Sequence, residues 1–277
     1  MRITVLTVHY RSFDFVKLMH DSLAALARED FKMLICDNGP AGAERGRLNR
    51  YFEDKKNVEI IFRDQGDEQA SVAHARAMDL LLSRVETEFA LVMDSDCVLL
   101  QAGWDRILID ALGACELIGS VYQKGADYAG FRADSTAFPL PFIMFLRHAT
   151  YASLGVSFMP GDRAKGQDTA WQLKGAYEQK QLPYRIFDSF NTRYFSDGPF
   201  ASQEGVYEYY YQGKLIGSHF GRGSTAGIAK YFRAAPANIF FNVFRWLKGL
   251  HQMRLWIETC RGIVEKEVKN GAGDGKA

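Results

Sequence analysis

The sequence predicts an α/β fold with a mainly parallel central sheet, followed by a helical C-terminal extension. Three observations predict it. Short, nearly uncharged β-branched runs alternate with helical segments from residue 3 to residue 93. Polar residues recur where each run stops: His9 and Arg11, Asp37 and Asn38, Arg63 and Asp64, Asp94 and Asp96. After residue 228 the chain turns helical and rich in aromatic residues.

Ile3–Val8 reads as a buried parallel strand. Ser12 is placed to cap a helix running to about Arg28, with Phe15, Leu18, Met19, Leu23 and Leu26 on one face. Phe31–Cys36 is a second buried strand, closed by the turn sequence Asp37-Asn38-Gly39-Pro40. A polar helix, 41–54, leads to a third strand, Val58–Phe62, and the helix Ala70–Arg84 to a fourth, Phe89–Met93. Alternation of this kind specifies right-handed crossovers, and open α/β sheets bind ligands at the carboxyl ends of their strands.

The second half is less regular. Pro139-Leu140-Pro141 interrupts it before a strand at Phe142–Arg147. Gly155–Lys165 reads as a loop, Gln167–Glu178 as a helix, and Tyr184–Phe187 and Lys214–Ser218 as short strands. Residues 1–227 are expected to form the main domain and 228–269 one or two helices, with the Gly-rich tail 270–277 disordered.

The chain has 277 residues, 47% hydrophobic and 24% charged, which suffices for a large core. A net charge of +1 lacks the basic footprint of a nucleic-acid binder. Cys36, Cys97, Cys115 and Cys260 have no metal-ligand spacing and read as buried reduced thiols. No signal-peptide pattern and no apolar run of membrane-spanning length is visible, so a cytoplasmic setting is expected, extending to the inner face of a membrane.

Asp94-Ser95-Asp96 carries the strongest chemical signal, because two carboxylates alternate as an apolar strand ends. Mg²⁺ or Mn²⁺ needs hard oxygen ligands and leaves room for phosphate oxygens. Read alone, the tripeptide is equally a solvated turn. Asp37 and Asn38 lie beside Val8, His9 and Arg11 and could meet a nucleobase or ribose; His74 and Arg76, early in a helix, could meet phosphate or face solvent.

Thr4–Tyr10, Asp37-Asn38-Gly39, Phe89–Asp96 and Gly103-Trp104 together resemble a GT-A-fold glycosyltransferase of the family 2 type. The likeness covers roughly residues 2–110, with the motifs in the family's order. It implies a Rossmann-like three-layer sandwich and an inverting transfer, hexosyltransferase in type. The sugar would pass from a nucleotide-sugar, UDP favoured over GDP, to a glycan or other hydroxyl acceptor. Under the resemblance Asp96 and His219 hold Mn²⁺ or Mg²⁺ with Asp94 beside them. Val8, His9, Arg11, Asp37, Asn38, His74, Arg76, Asp94, Ser95 and Arg222 contact the donor, with Ser224 near Arg222. Gly166-Gln167-Asp168-Thr169 resembles the family's acidic segment, which makes Asp168 the general base; a carboxylate at a helix start is also a good cap. The chain departs from the family in His74-Ala75-Arg76-Ala77, in Gly39-Pro40 and in Gln167, which stands where the family carries glutamate.

The aromatics Tyr231, Phe232, Phe240, Phe241, Phe244, Trp246, Leu250, Leu255 and Trp256, interleaved with Arg233, Arg245, Lys248 and Arg254, fit a core-packing cap, a membrane-surface helix or a homodimer face. Two rival functions remain. A sugar nucleotidyltransferase also uses acidic metal ligands, but His9-Tyr10-Arg11-Ser12-Phe13 lacks its Gly-rich signature. The other rival is a non-catalytic nucleotide-sugar-binding domain.

Overall fold

The computed structural model describes residues 1–123, 138–225 and 239–273. It has two sheets. The larger orders its strands β3-β2-β1-β4-β7-β6-β8 and the smaller β5-β11-β10-β9. The parallel part matches the predicted runs: β1 Ile3–His9, β2 Phe31–Asp37, β3 Val58–Phe62 and β4 Phe89–Met93. β1 pairs in parallel with both β2 and β4. All seven residues of β1 are buried because helices cover both faces of the sheet.

Alternate residues of these strands feed opposite cores. Val5, Met33, Ile35, Leu91 and Met93 pack with α1 (Phe13–Leu26) and α4 (Trp104–Ala111). Leu6, Leu34, Cys36, Ala90 and Val92 pack with α3 (Ala70–Leu82) and α6 (Trp171–Gln179). Period-two alternation thus builds a three-layer sandwich. α2 spans Ala43–Phe52 and buries only Leu48 and Phe52, in keeping with its polar sequence.

The second half differs from its sequence reading. β7 (Leu140–Arg147) is longer than expected and includes Pro141. It runs antiparallel to β4 and to β6 (Leu117–Ser120), and the β6 register shifts between Gly119 and Ser120, opposite the proline. A proline has no ladder donor and is tolerated at such an irregularity. A helix not foreseen, α5 (His148–Leu154), follows directly. β5 (Cys97–Leu99), β9 (Asp188–Asn191) and β10 (Tyr207–Tyr211) were also unforeseen; β8 (Tyr184–Ile186) and β11 (Lys214–His219) match the predicted short strands.

α7 runs Ile239–Gly273, so Asn270–Gly273 are helical rather than part of a disordered tail. Each further residue of a formed helix adds a hydrogen bond without a new nucleation cost. The core-packing reading holds for the middle of α7. Trp256, Ile257 and Cys260 are buried against Phe15, Leu18, Val98 and Phe220, and the Trp256 indole donates to Ser218 Oγ at 2.9 Å. Truncating a buried tryptophan of this kind costs about 3–5 kcal/mol. About three turns earlier Val243, Phe244, Trp246 and Leu247 are exposed. Tyr231, Phe232 and Arg233, the side chains of Phe240 and Phe241, and the boundary at residues 227–228 lie outside the described residues. No described helix is long and apolar enough to cross a membrane.

Candidate active site

The chain runs from β1 outward to β2 and β3, then returns to place β4 on the other side of β1. Strand order therefore switches direction between β1 and β4, where an open α/β sheet leaves a crevice at its carboxyl edge. A cleft of about 860 Å³ lies there, lined from the first half by Val8, Arg11, Asn38, His74, Asp94 and Asp96. Sites for small ligands are typically about 300–1,000 Å³. Its opposite wall comes from the smaller sheet and the loop after β11.

Asp94, Ser95 and Asp96 form the tight turn between β4 and β5, and all three line the cleft. β11 pairs with β5 and delivers His219 to the same floor, where its Nε2 stands 3.3 Å from Asp96 Oδ1. The other Asp96 oxygen accepts from the backbone N–H of Gly223 at 2.7 Å. That approach requires glycine: a Cβ at position 223 would lie 2.6 Å from Asp96 Cβ. Asp94 Oδ1 faces His74 Nε2 at 3.3 Å. Burial works against a charged His74. Asp94, with longer-range pull from Asp168 and Asp96, outweighs it and raises the pKa above the ordinary histidine value.

Arg11 and Arg222 flank the cleft with φ of 51° and 62°. A non-glycine residue held there costs on the order of 1–3 kcal/mol, and such strain gathers at ligand sites.

Other predicted contacts fall elsewhere. His9 and Asp37 do not line the cleft. His9 Nδ1 meets Asp37 Oδ1 at 2.8 Å, and Asp37 also accepts from Arg45 Nε at 2.7 Å and Gly39 N–H at 3.0 Å. Burial opposes the Asp37 charge, but His9, Arg45 and Gly39 together hold its carboxyl below the usual range. Arg76 pairs with Glu68 on the exposed face of α3 and also does not line the cleft. Asp168 is exposed and outside the lining, yet near enough for its charge to act on His74. The capping alternative fails: the N-cap position of α6 is Ala170, with φ 64° and no side-chain cap bond. Ser12 stands at the N-cap position of α1 but likewise makes no such bond.

The family model for glycosyl transferase family 2 matches residues 4–164, more than half the chain. The chain belongs to glycosyl transferase family 2. No curated protein matches it by sequence. Among solved structures it is similar to a mannosyltransferase from Pyrobaculum calidifontis in complex with GDP-Man and Mn²⁺. That likeness has a TM-score of 0.54 at 13% identity, covering 98% of this chain and 79% of the other. A glucosyl-3-phosphoglycerate synthase from Mycobacterium tuberculosis with Mn²⁺, UDP and phosphoglyceric acid aligns at TM-score 0.47 and 15% identity. It covers 66% of this chain and 67% of the other. S. aureus TarS with UDP-GlcNAc aligns at 0.46 and 15%, covering 91% and 72%. The first likeness supports the GT-A fold, and sugar transfer is the activity class of the family.

In this family 2 glycosyltransferase the sequence reading missed the far wall: Tyr122, Phe142, Asn191, Arg193 and Tyr207. Phe142 and Tyr207 stack around His219, with ring centroids 4.8 Å and 6.3 Å away. The aromatic run Tyr207–Tyr211 was the available signal. The donor set of the glycosyltransferase suits a hard or borderline dication, since a carboxylate and an imidazole converge at the cleft floor. Ligand atoms of Asp96, Cys97 and His219 all lie within 4.8 Å of one another, and all three residues are buried.

Proposed function

We propose that the chain is a metal-assisted, inverting glycosyltransferase that uses a UDP- or GDP-sugar and a hydroxyl acceptor. The observation carrying this reading is the convergence of Asp96 and His219, 3.3 Å apart, at a cleft floor also lined by Asp94 and Ser95. Asp96 and His219 would hold Mn²⁺ or Mg²⁺, with Asp94 beside them. When bound, the ion supplies Lewis-acid stabilisation of a departing diphosphate.

The remaining work falls to side chains. Val8 and Asn38 border the place for the nucleobase, while His9, Asp37 and Arg45 hold that rim from beneath. Arg11 and Arg222 reach the diphosphate from two sides and offset its charge. His74, its pKa raised by Asp94 against the effect of burial, adds a further donor toward phosphate or ribose. Asp168 takes the acceptor's hydroxyl proton on its carboxylate. The oxygen then attacks the anomeric carbon from the face opposite the nucleotide, and the bond to the diphosphate breaks. Asp168 leads α6 without capping it; its Oδ1 accepts from the Thr169 N–H at 2.8 Å, and Oδ2 would take the proton.

The test has two arms. A thermal-shift panel of UDP-, GDP-, CMP- and dTDP-sugars should raise the melting temperature for one nucleotide class, and more so with Mn²⁺. Saturation at about 100 times Kd adds about 2.7 kcal/mol. Asp168→Asn should then keep that shift while transfer falls about 10²–10⁴-fold. Transfer at the wild-type rate in Asp168→Asn would remove the base assignment. Binding without release of nucleotide under any acceptor would favour a binding domain. Pyrophosphate-dependent formation of nucleoside triphosphate would favour the nucleotidyltransferase.

A further inference from the structure

We propose that Asp96, Cys97 and His219 form a three-ligand site that takes Zn²⁺, the Cys97 thiolate joining the carboxylate and imidazole. The inference rests on the cleft-floor reading above and adds a ligand to it. Cys97 follows the acidic turn directly, and the β5–β11 register sets it opposite His219. Directly opposed residues of an antiparallel pair project to the same face, with Cβ atoms about 4.5–5.5 Å apart. The histidine and the thiol therefore share one side of the smaller sheet, and the turn brings the Asp96 carboxylate within 4.8 Å of both.

The dimensions suit zinc. The three donor atoms lie within 4.8 Å of one another. Donors bound to tetrahedral zinc at about 2.0–2.3 Å are spaced about 3.5 Å apart, so closure needs side-chain shifts of about an ångström. Three protein ligands with an open fourth position are the usual pattern of a catalytic zinc site. The opening is present, because Asp96 and His219 line the cleft while Cys97, fully buried, lies beneath it. The outer partner is present too: Tyr209 Oη stands 3.4 Å from His219 Nδ1, so Nδ1–H can be held by the phenol and Nε2 left to face Asp96.

Charge favours the same ion. A carboxylate and a thiolate together neutralise a dication, which lowers the cost of burying the group. Zinc binding forms the Zn–S bond and releases the thiol proton to solvent. At a given set of N, O and S donors Zn²⁺ binds more tightly than Mn²⁺, and a thiolate widens the gap. Zn²⁺ would therefore bind this cleft floor more tightly than Mn²⁺ does at the same residues.

The test uses the full chain and Zn²⁺, Co²⁺ and Mn²⁺ alone. Co²⁺ added to the wild type should produce a near-ultraviolet sulfur-to-cobalt charge-transfer band. Cys97→Ser should abolish the band, and Cys260→Ser should keep it. Chelator competition should find the Zn²⁺/Mn²⁺ affinity ratio lowered at least about tenfold in Cys97→Ser. Cys97→Ala, with both variants checked by circular dichroism, guards against loss of fold. A band surviving Cys97→Ser, no band in the Co²⁺-bound wild type, or an unchanged affinity ratio overturns the proposal. If His219→Ala still weakens Mn²⁺ binding in that case, the cleft-floor reading stands. If His219→Ala weakens neither Mn²⁺ nor Zn²⁺ binding, both fall.

Discussion

Two of the histidine–aspartate pairs at the carboxyl edge of the sheet, His9–Asp37 and His219–Asp96, have different fates. His9 and Asp37 meet at 2.8 Å with side chains 1% exposed, and Arg45 completes the charge balance. His219 and Asp96 meet at 3.3 Å with side chains 9% and 7% exposed, on the floor of the cleft. The first pair satisfies itself inside the protein. The second gives one carboxylate oxygen to the Gly223 amide, sets the other against the imidazole, and lines the cleft. A polar residue at a strand end therefore marks a candidate site only when it also lines a cleft.

The largest expected effect sets the two histidines against each other. His219→Gln should lower transfer at least about a hundredfold, since the dication proposed there would contribute several kcal/mol to the transition state. His9→Gln should lower it far less in the folded enzyme and act on stability instead. Steady-state rates and melting curves read both; equal losses of transfer in the two variants would break the comparison.

Next comes the carboxylate of the inner pair. Asp37→Asn strands Arg45 beside a neutral group and should cost about 3 kcal/mol in chemical denaturation. The effect is pH-dependent. The folded carboxyl lies below its unfolded value, so its contribution is present above about pH 4 and fades as pH falls through the folded pKa. The gap between wild type and Asp37→Asn should therefore close in acid. A gap that widens on acidification would reverse the assigned sign.

Gly223→Ala should follow in size. The added Cβ would lie 2.6 Å from Asp96 Cβ and 3.0 Å from Phe15, so the acidic turn or the Arg222 loop must shift. Overpacking of this kind costs about 1–3 kcal/mol. Donor affinity by calorimetry should fall along with stability, whereas a loss of stability alone would place the damage outside the cleft. Arg76→Ala should have the smallest effect. Its pair with Glu68 is exposed, so stability should move by less than about 0.5 kcal/mol and donor affinity should hold. A clear loss of affinity would return Arg76 to the site.

Much of the first wall was legible in the sequence because its elements are local. Strands β1 to β4 fall on the predicted apolar runs, and period-two burial left no alternative register without exposing a core face. The strand-end positions of His9, Asp37 and Asp94 followed from that pattern. Whether each side chain faced inward or toward the cleft did not follow. Asp37 and Asp94 look alike in sequence, and Arg45, from the next helix, closes off only the first. The far wall was less legible, since β5, β9 and β10 are short and stable only within their sheet, β5 and β10 against β11 and β9 against β10.

By itself the sequence determined the alternation, the parallel sheet and the place of Asp94-Ser95-Asp96 at its edge, because these depend on hydrophobic periodicity along neighbouring residues. Only the tertiary structure decided that His219 and Cys97 stand opposite each other beside Asp96, and that Asp37 is spent on Arg45. Those outcomes depend on pairings between segments that are separated in the chain, such as β5 and β11. Their register is fixed by packing that no local pattern encodes.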